Sequence, residues 1–315
     1  MNKIKIDVIS GYLGSGKTTF IQKLIKSTEN ERIVIIENEF GDIGIDGDIL
    51  RDKGLDVVEL EKGCICCTLK LNFLKSLNNI IEYMKPTRII VEPTGMGLLS
   101  QIIGIVLDEN NEDIKNNCKL NSAITIIDGE NYLEQVELFG DFFNDQIKNA
   151  NKLIISKSQY ISQEDLDDIV GSLRETNNNA VIISENWDSI DLDKFLKIID
   201  ESNEKISREL YVGDVHKAMQ GVSSVLVKFN NPLNMESFKN AVNELKTNKY
   251  GLIMRGKGFI NYLDEKNPEI QRYAEFNYVG SNYEFENLNT KKSSEICIIG
   301  KELDEKEILN LFNFN

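Results

Sequence analysis

The sequence predicts an α/β domain with a mostly parallel sheet, followed by a small α+β domain, and three observations predict it. Short apolar runs separated by helical stretches fill the first two thirds of the chain, the pattern of a sheet covered on both faces. A glycine-rich loop, Gly11-Tyr12-Leu13-Gly14-Ser15-Gly16-Lys17-Thr18-Thr19, joins the first run to the first helical stretch. After residue 221 the order changes to a strand, a helix, further strand-like runs and a last helix.

Each element has its own signal. Ile4, Ile6, Val8 and Ile9 read as a buried first strand, and Phe20, Ile21, Leu24 and Ile25 as the apolar face of the helix after the loop. Residues 32–37, 56–60, 88–92, 123–128, 152–156 and 180–184 read as further strands. Leu71, Leu74, Leu77, Ile80, Ile81 and Met84 recur at helical spacing. The polar stretch 201–205 and the weakly patterned residues up to Gly221 read as a linker. Beyond it, residues 223–229, 251–262, 273–285 and 296–299 read as strands. Asn234 caps a helix with Met235, Phe238, Val242 and Leu245 on its apolar face, and Asp304 caps a last helix through Ile308, Leu309 and Phe312. The expected domains are a nucleotide-binding domain over 1–200, a linker over 201–221 and a C-terminal domain over 222–315. Phe259, Tyr262, Tyr273, Phe276, Tyr278, Tyr283 and Phe285 are expected in the core of the second sheet.

The loop fits the phosphate-binding pattern G-x-x-x-x-G-K-[ST] in its proper context, between a strand and a helix. Three glycines let backbone N–H groups close around a phosphate with no Cβ in the way. The following helix points its positive end at the same anion. Lys17 is expected to reach the β- and γ-phosphates and the Thr18 hydroxyl to hold Mg²⁺, with Gly11, Gly14, Ser15, Gly16 and Thr19 completing the cradle. In a mostly parallel sheet ligands bind at the carboxyl ends of the strands, where the loop, Glu37, Glu92 and Ser156 all fall.

Composition narrows the partners. Lys and Arg total 36 against 51 Asp and Glu, a formal charge of −15, and such a field repels nucleic acid and anionic membrane. Residues 1–7 carry no secretory apolar region and no apolar run approaches transmembrane length, so a cytoplasmic protein is expected. Three of the five cysteines fall in Gly63-Cys64-Ile65-Cys66-Cys67. In a reducing compartment such a cluster points to metal binding or redox chemistry before a structural disulfide.

Three thiols on one turn supply at most three of the four ligands a structural Zn²⁺ site wants. Glu37, at the end of the second strand, is the favoured fourth ligand, and an incomplete site suits a metal that must be released. A redox pair or buried thiols are the rival readings; a bridge between adjacent cysteines is strained, and no thioredoxin-like context accompanies the cluster. Thiolates exclude Mg²⁺ and Ca²⁺ but leave Zn²⁺, Co²⁺, Ni²⁺ and Cu(I). Cys118 and Cys297 read as buried thiols, and His216 as an exposed or core histidine before a stray ligand.

Residues 37–46 follow the second strand with acids and two glycines, a loop that would answer to the γ-phosphate and its Mg²⁺. Asp46 is expected to bind that Mg²⁺ directly or through water; Asp42 and Asp46 also fit an acidic solvated loop. Glu92-Pro93-Thr94-Gly95 ends its strand where an acid can contact the Mg²⁺ shell, and the Gly95 N–H can meet the γ-phosphate.

These residues together resemble the CobW-type GTPases, relatives of HypB and UreG that are proposed metallochaperones. The resemblance rests on Gly11–Thr19, Glu37-Asn38-Glu39-Phe40-Gly41, the Cys-x-Cys-Cys turn and Glu92–Gly95, with Arg255-Gly256-Lys257-Gly258-Phe259 and Ile298-Ile299-Gly300 in the second domain. HypB and UreG lack that domain, which favours the CobW branch. The resemblance implies GTP hydrolysis coupled to handling of Zn²⁺ or Co²⁺, with metal ligation by Cys66 and Cys67 and by Cys64 or Glu37. Family members usually carry Asn-Lys-x-Asp where this chain reads Ser156-Lys157-Ser158-Gln159. That aspartate accepts two hydrogen bonds from guanine, whereas the Gln159 amide suits adenine as well. Ser156 can still make one polar contact, and the Lys157 stem can cover the base. Losing the charged contact removes roughly 1–3 kcal/mol of discrimination, so a weakened guanine preference is expected, with ATP a second candidate nucleotide.

The mechanism expected is a metal-coupled switch in which nucleotide and Mg²⁺ order the loops around Glu37 and Glu92 and so set the geometry of the cysteine turn between them. A metal-requiring client protein then receives the ion, and the C-terminal domain supplies the client surface or that of a metal-dependent homo-oligomer. No internal arginine finger is evident beyond Arg51, so slow intrinsic hydrolysis, stimulated by a partner or metal, is expected. Two other classes stay open: a P-loop ATPase or small-molecule kinase with an incidental cysteine cluster, and a metal-sensing module that binds nucleotide without turning it over.

Overall fold

A computed structural model describes residues 3–12, 14–28, 31–37, 56–59, 68–93, 98–201, 210–211, 221–247, 249–264, 267, 269–279, 282–288 and 290–314. The described residues fall into two compact units, one ending at residue 211 and the other beginning at 221. Most of the expected linker therefore lies outside them, with His216.

The first unit is built from β1 (Ile4–Gly11), α1 (Lys17–Ser27), β2 (Ile33–Glu37), β3 (Asp56–Glu59), α2 (Thr68–Asn79), β4 (Arg88–Glu92), α3 (Leu99–Val106), α4 (Glu112–Asn117), β5 (Cys118–Asp128), α5 (Tyr132–Asn149), β6 (Lys152–Ser156), α6 (Gln163–Thr176), β7 (Val181–Ile183) and α7 (Leu192–Asp200). Among the described residues seven strands form one sheet in the order β3-β2-β4-β1-β5-β6-β7, every neighbouring pair parallel. The strands are near-continuous apolar runs because a parallel sheet is buried on both faces. Ile9, Ile35, Ile90, Ile124, Ile126 and Ile154 pack on one face with Phe20, Ile21 and Leu24 of α1 and Phe195 and Ile199 of α7, with Trp187 between the helices. β5 begins at Cys118, earlier than its apolar run suggests, and its register with β1 shifts between Ile6 and Asp7.

That irregularity serves a buried charge cluster toward the amino ends of the strands. The Asp7 carboxylate, fully buried, accepts from Arg88 Nη1, from Asn121 Nδ2 at 2.7 Å and from the Ser122 hydroxyl. The rest of the Arg88 guanidinium holds Glu31 at 2.9 Å and Asp200, the last residue of α7, at 2.8 Å; Lys5 also pairs with Asp200 at 2.7 Å. Burial opposes the charge of Arg88, but its three carboxylates more than offset that and hold its pKa above the ordinary value. Burial likewise works against Glu31 and Asp200, yet the Arg88 and Lys5 charges bring both carboxyls below their ordinary values.

The second unit is an antiparallel sheet of five described strands, β8 (Val222–Lys228), β9 (Leu252–Leu263), β10 (Gln271–Val279), β11 (Asn282–Leu288) and β12 (Glu295–Lys301), in the order β11-β10-β9-β12-β8. Helices α8 (Met235–Glu244) and α9 (Glu305–Leu311) contribute to its core, and Asn234 and Asp304 cap them through the N–H groups of Ser237 and Glu307. One expectation is corrected here. Residues 273–285 are not one strand: β10 and β11 fold back on each other, Val279 facing Asn282. Tyr278 pairs with Tyr283 and Phe276 with Phe285, so both halves of the run keep their apolar residues on one face. Phe276 and Tyr278 are in the core, with Tyr262, Tyr283 and Phe285 packed against it. Gly258 is required because a Cβ there would lie 2.1 Å from the Glu295 carbonyl oxygen.

Candidate nucleotide and metal site

β1, the central strand, delivers the glycine-rich loop to the carboxyl end of the sheet. Gly11, Gly14 and Gly16 have φ of 143°, 75° and 95°, values that L side chains rarely adopt. A Cβ on Gly11 would lie 2.5 Å from the Ile126 carbonyl oxygen of β5. Gly16, in the left-handed region, caps α1, so the loop closes over the N-terminal end of that helix. That is a site for an anion by geometry and dipole together. The Lys17 side chain is buried and its ammonium donates to the carbonyls of Gly11 at 3.0 Å and Tyr12 at 3.1 Å. Thr18 is half-buried and Thr19 exposed on the first turn of α1.

Register places the acids. Glu37 and Glu92 face each other across β2 and β4, and Glu59 faces Glu37 across β3. Glu37 and Glu92 are 5% and 7% exposed. In parallel strands register partners project to the same face, so both glutamates share the side of the sheet on which α1 lies. Cys64, Cys66, Cys67, Asp42, Asp46 and Gly95 lie outside the described residues, as does Arg51. Among the described residues no three His, Cys, Asp or Glu side chains come together to hold a metal, and no helix is long and apolar enough to cross a membrane.

Ser156 ends β6 beside the loop. Its hydroxyl lies 2.6 Å from the Ser15 carbonyl oxygen and 3.0 Å from that of Ile127. A Cβ on Gly16 would be 3.9 Å from the Ser156 Cβ. The hydroxyl thus braces the phosphate loop. Lys157 follows with a left-handed φ of 60° and donates to Asp128 at 2.9 Å, with Glu130 3.5 Å away. Gln159 and Tyr160 sit exposed on the next turn.

Asp128 is the residue sequence reasoning missed. It ends β5, is fully buried, and accepts from the Glu130 N–H at 3.2 Å and Asn131 Nδ2 at 2.9 Å besides Lys157. The signal was present, since Asp128 closes an apolar strand just as Glu92 does.

Residues 5–184 match the family described as CobW/HypB/UreG, nucleotide-binding domain, and residues 222–314 match the Cobalamin synthesis protein cobW C-terminal domain. The chain is 30% identical over 192 residues to a protein named Zinc chaperone CobW from Sinorhizobium sp, a match covering 52% of this chain and 53% of that one. It is 24% identical over 298 residues to Zinc-regulated GTPase metalloprotein activator 1 of Dictyostelium discoideum, covering 82% of this chain and 62% of that one. The chain therefore spans between half and two thirds of the length of these two relatives. Among solved structures, Zn(II)-bound YjiA GTPase from E. coli aligns over 99% of this chain and 98% of its own, at 20% identity and a TM-score of 0.46. With the matched regions covering both units, the chain belongs to the CobW/HypB/UreG family.

Proposed function

We propose that this protein is a nucleotide-dependent metallochaperone, binding and hydrolysing GTP in order to load and release Zn²⁺ or Co²⁺ for a client protein in the cytoplasm. The observation that carries the reading is the common edge: the phosphate loop, Glu37 and Glu92 lie at the carboxyl ends of neighbouring strands of one sheet. The cysteine turn 64–67 lies in sequence between the two glutamates. The relatives named zinc chaperone and zinc-regulated GTPase support the cargo and the nucleotide.

The residues fit their ligands. Thr18, Glu92 and Asp46 are hard oxygen donors suited to Mg²⁺, which neutralises charge on the β- and γ-phosphate oxygens when bound. Cys64, Cys66, Cys67 and Glu37 are a thiolate-rich set suited to the cargo ion. On nucleotide entry the Lys17 ammonium exchanges the carbonyls of Gly11 and Tyr12 for phosphate oxygens, a stronger charge-assisted pairing. The N–H groups of Gly14 to Thr19 and of Gly95 hold the phosphates in place. Loops that start at Glu37 and Glu92 carry the nucleotide state to the thiolates, and the coupling is reciprocal. The second unit offers the client surface or that of a metal-dependent homo-oligomer.

The test is Zn²⁺ competition on the reduced protein with a non-hydrolysable triphosphate or with diphosphate. The affinities are expected to differ by roughly 5–150-fold, and Cys66→Ala to abolish the difference. Equal affinities in both states would establish independent sites and refute the coupling.

A further inference from the structure

Each of the two described sheets ends in two edge strands, and an edge presents unpaired N–H and C=O groups that proteins guard against pairing with another chain. β7 is only three residues long, and β3 carries an acid at each end, Asp56 and Glu59. β11 carries Glu284 and Glu286, both exposed, on one face. β8 has none of these devices. Val222-Ser223-Ser224-Val225-Leu226-Val227-Lys228 is seven residues long and holds no acid, no proline and no glycine, in a chain of net charge −15.

The phase of the ladder says which backbone groups face outward. Beyond one end of β8 the Phe229 N–H donates to the Ser294 carbonyl at 2.9 Å, and beyond the other the Gly221 carbonyl accepts from the Glu302 N–H at 2.7 Å. Both pairs continue the register of β8 with β12. In an antiparallel ladder hydrogen-bonded pairs alternate with non-bonded ones, so Ser223, Val225 and Val227 bond to β12. Val222, Ser224, Leu226 and Lys228 turn their N–H and C=O groups away from it. Among the described residues nothing bonds to those outward groups. Val225 and Val227 are in the core with α8 and α9, so the side chains of the four outward residues lie on the other face of the sheet. Ser224 and Lys228 are exposed there.

We infer that a second copy of this chain occupies that edge, the two β8 strands running antiparallel about a two-fold axis at Val225 and joining the two antiparallel sheets into one. In that register Ser224 faces Leu226 of the partner subunit and Val222 faces Lys228 of the partner subunit, each facing pair exchanging two main-chain hydrogen bonds. Every group the edge needs is present on the edge itself, and no like charges meet. β11 joined to its own copy in the same way would set Glu284 opposite Glu286 of the partner subunit, a destabilising pair. The inference rests on the reading of the second unit as an oligomer surface and names its seam, which requires neither nucleotide nor metal.

The test is sedimentation of the full-length, reduced protein with EDTA and without nucleotide. At about 50 μM the mass is expected to be that of two chains, with a dissociation constant on the order of 1–10 μM. Proline lacks an N–H, and at an outward edge position it removes nothing the sheet itself uses. Ser224→Pro is therefore expected to raise the dissociation constant at least about tenfold, with the melting temperature of dilute, monomeric protein unchanged. Hydrogen exchange gives a readout free of substitution. The amides of Val222, Ser224, Leu226 and Lys228 are expected to be protected in the dimer and to exchange freely on dilution below the dissociation constant. A single-chain mass in wild type overturns the inference, and slow exchange of those amides in such a monomer would give the edge to another segment of the same chain. A dimer that Ser224→Pro leaves intact overturns it as well, as does one that forms only with Zn²⁺, which would place the contact at the metal site. Zn²⁺ affinity in the two nucleotide states separates this seam from the coupling. A wild-type dimer with equal affinities refutes the coupling alone, and a wild-type monomer with unequal affinities refutes the seam alone.

Discussion

Replacing Arg88 with Met tests how much of the first unit depends on its buried charges. Arg88 and Asp7 have no exposed side-chain surface, and Glu31 and Asp200 are 22% and 27% exposed. Methionine fills much of the stem's volume but leaves the Asp7 carboxylate buried against Asn121 and Ser122, without its cation. Removing one partner of a buried pair costs about 3–5 kcal/mol, because the other charge stays desolvated. For a domain of this size each kcal/mol moves the melting temperature by roughly 2–4 °C, so a fall of about 6–20 °C is expected. The single tryptophan, Trp187, lies in this unit, and its fluorescence follows the transition. Acid adds a second readout. Glu31 and Asp200 have folded pKa values below their ordinary 4.5 and 3.8. Their contribution is therefore present above those ordinary values and lost as pH falls through the lower folded ones. Wild type should lose stability steeply below about pH 4.5, and Arg88→Met, already lacking that share, less steeply. Nucleotide affinity at pH 7 should stay unchanged, since the cluster sits away from the carboxyl ends that carry the loop. A variant melting within about 3 °C of wild type would refute the assignment of stability to this cluster.

Two glycine substitutions separate the units. Gly11→Ala places a Cβ 2.5 Å from the Ile126 carbonyl oxygen at a φ of 143°, so β1 and β5 must part where the phosphate loop begins. Backbone strain of about 1–3 kcal/mol is expected, with nucleotide affinity reduced at least about tenfold in a fluorescence titration. Gly258→Ala drives a Cβ into the backbone of β12, 2.1 Å from the Glu295 oxygen, and should destabilise the second unit by about 3 kcal/mol or more, read as an earlier loss of β signal in circular dichroism. An unchanged melt would show that β9 and β12 can separate at no cost.

The strands of the first unit were legible because burial on both faces writes itself as runs of isoleucine and valine. The phosphate loop was legible because its glycines and lysine are consecutive. Both are local signals. The Asp7–Arg88–Asp200 cluster was not legible, because its members are scattered over β1, β4 and α7 and each alone resembles an ordinary surface charge. Asp128 was half legible: its place at the end of an apolar strand could be read as that of Glu92 was, but its partner Lys157 is supplied by β6 and shows only in the fold. The β10–β11 hairpin left two local marks that the reading of 273–285 as one run passed over: Gly280-Ser281, and the change of phase from Phe276 and Tyr278 to Tyr283 and Phe285, which one continuous strand would put on opposite faces.

The bracing of the loop by Ser156 has a consequence for biosynthesis. Gly11 takes its place only when Ile126 of β5 pairs beside it, and the Ser15 carbonyl meets its donor only when β6 has formed. A nascent chain therefore carries its phosphate loop, unformed, for the whole interval between making Gly11 and making Ser156. At ordinary rates of translation that is roughly 7–30 s. Cellular nucleotide can act as a folding ligand only after this interval, when the sheet closes late and nearly at once around a motif that was among the first residues made.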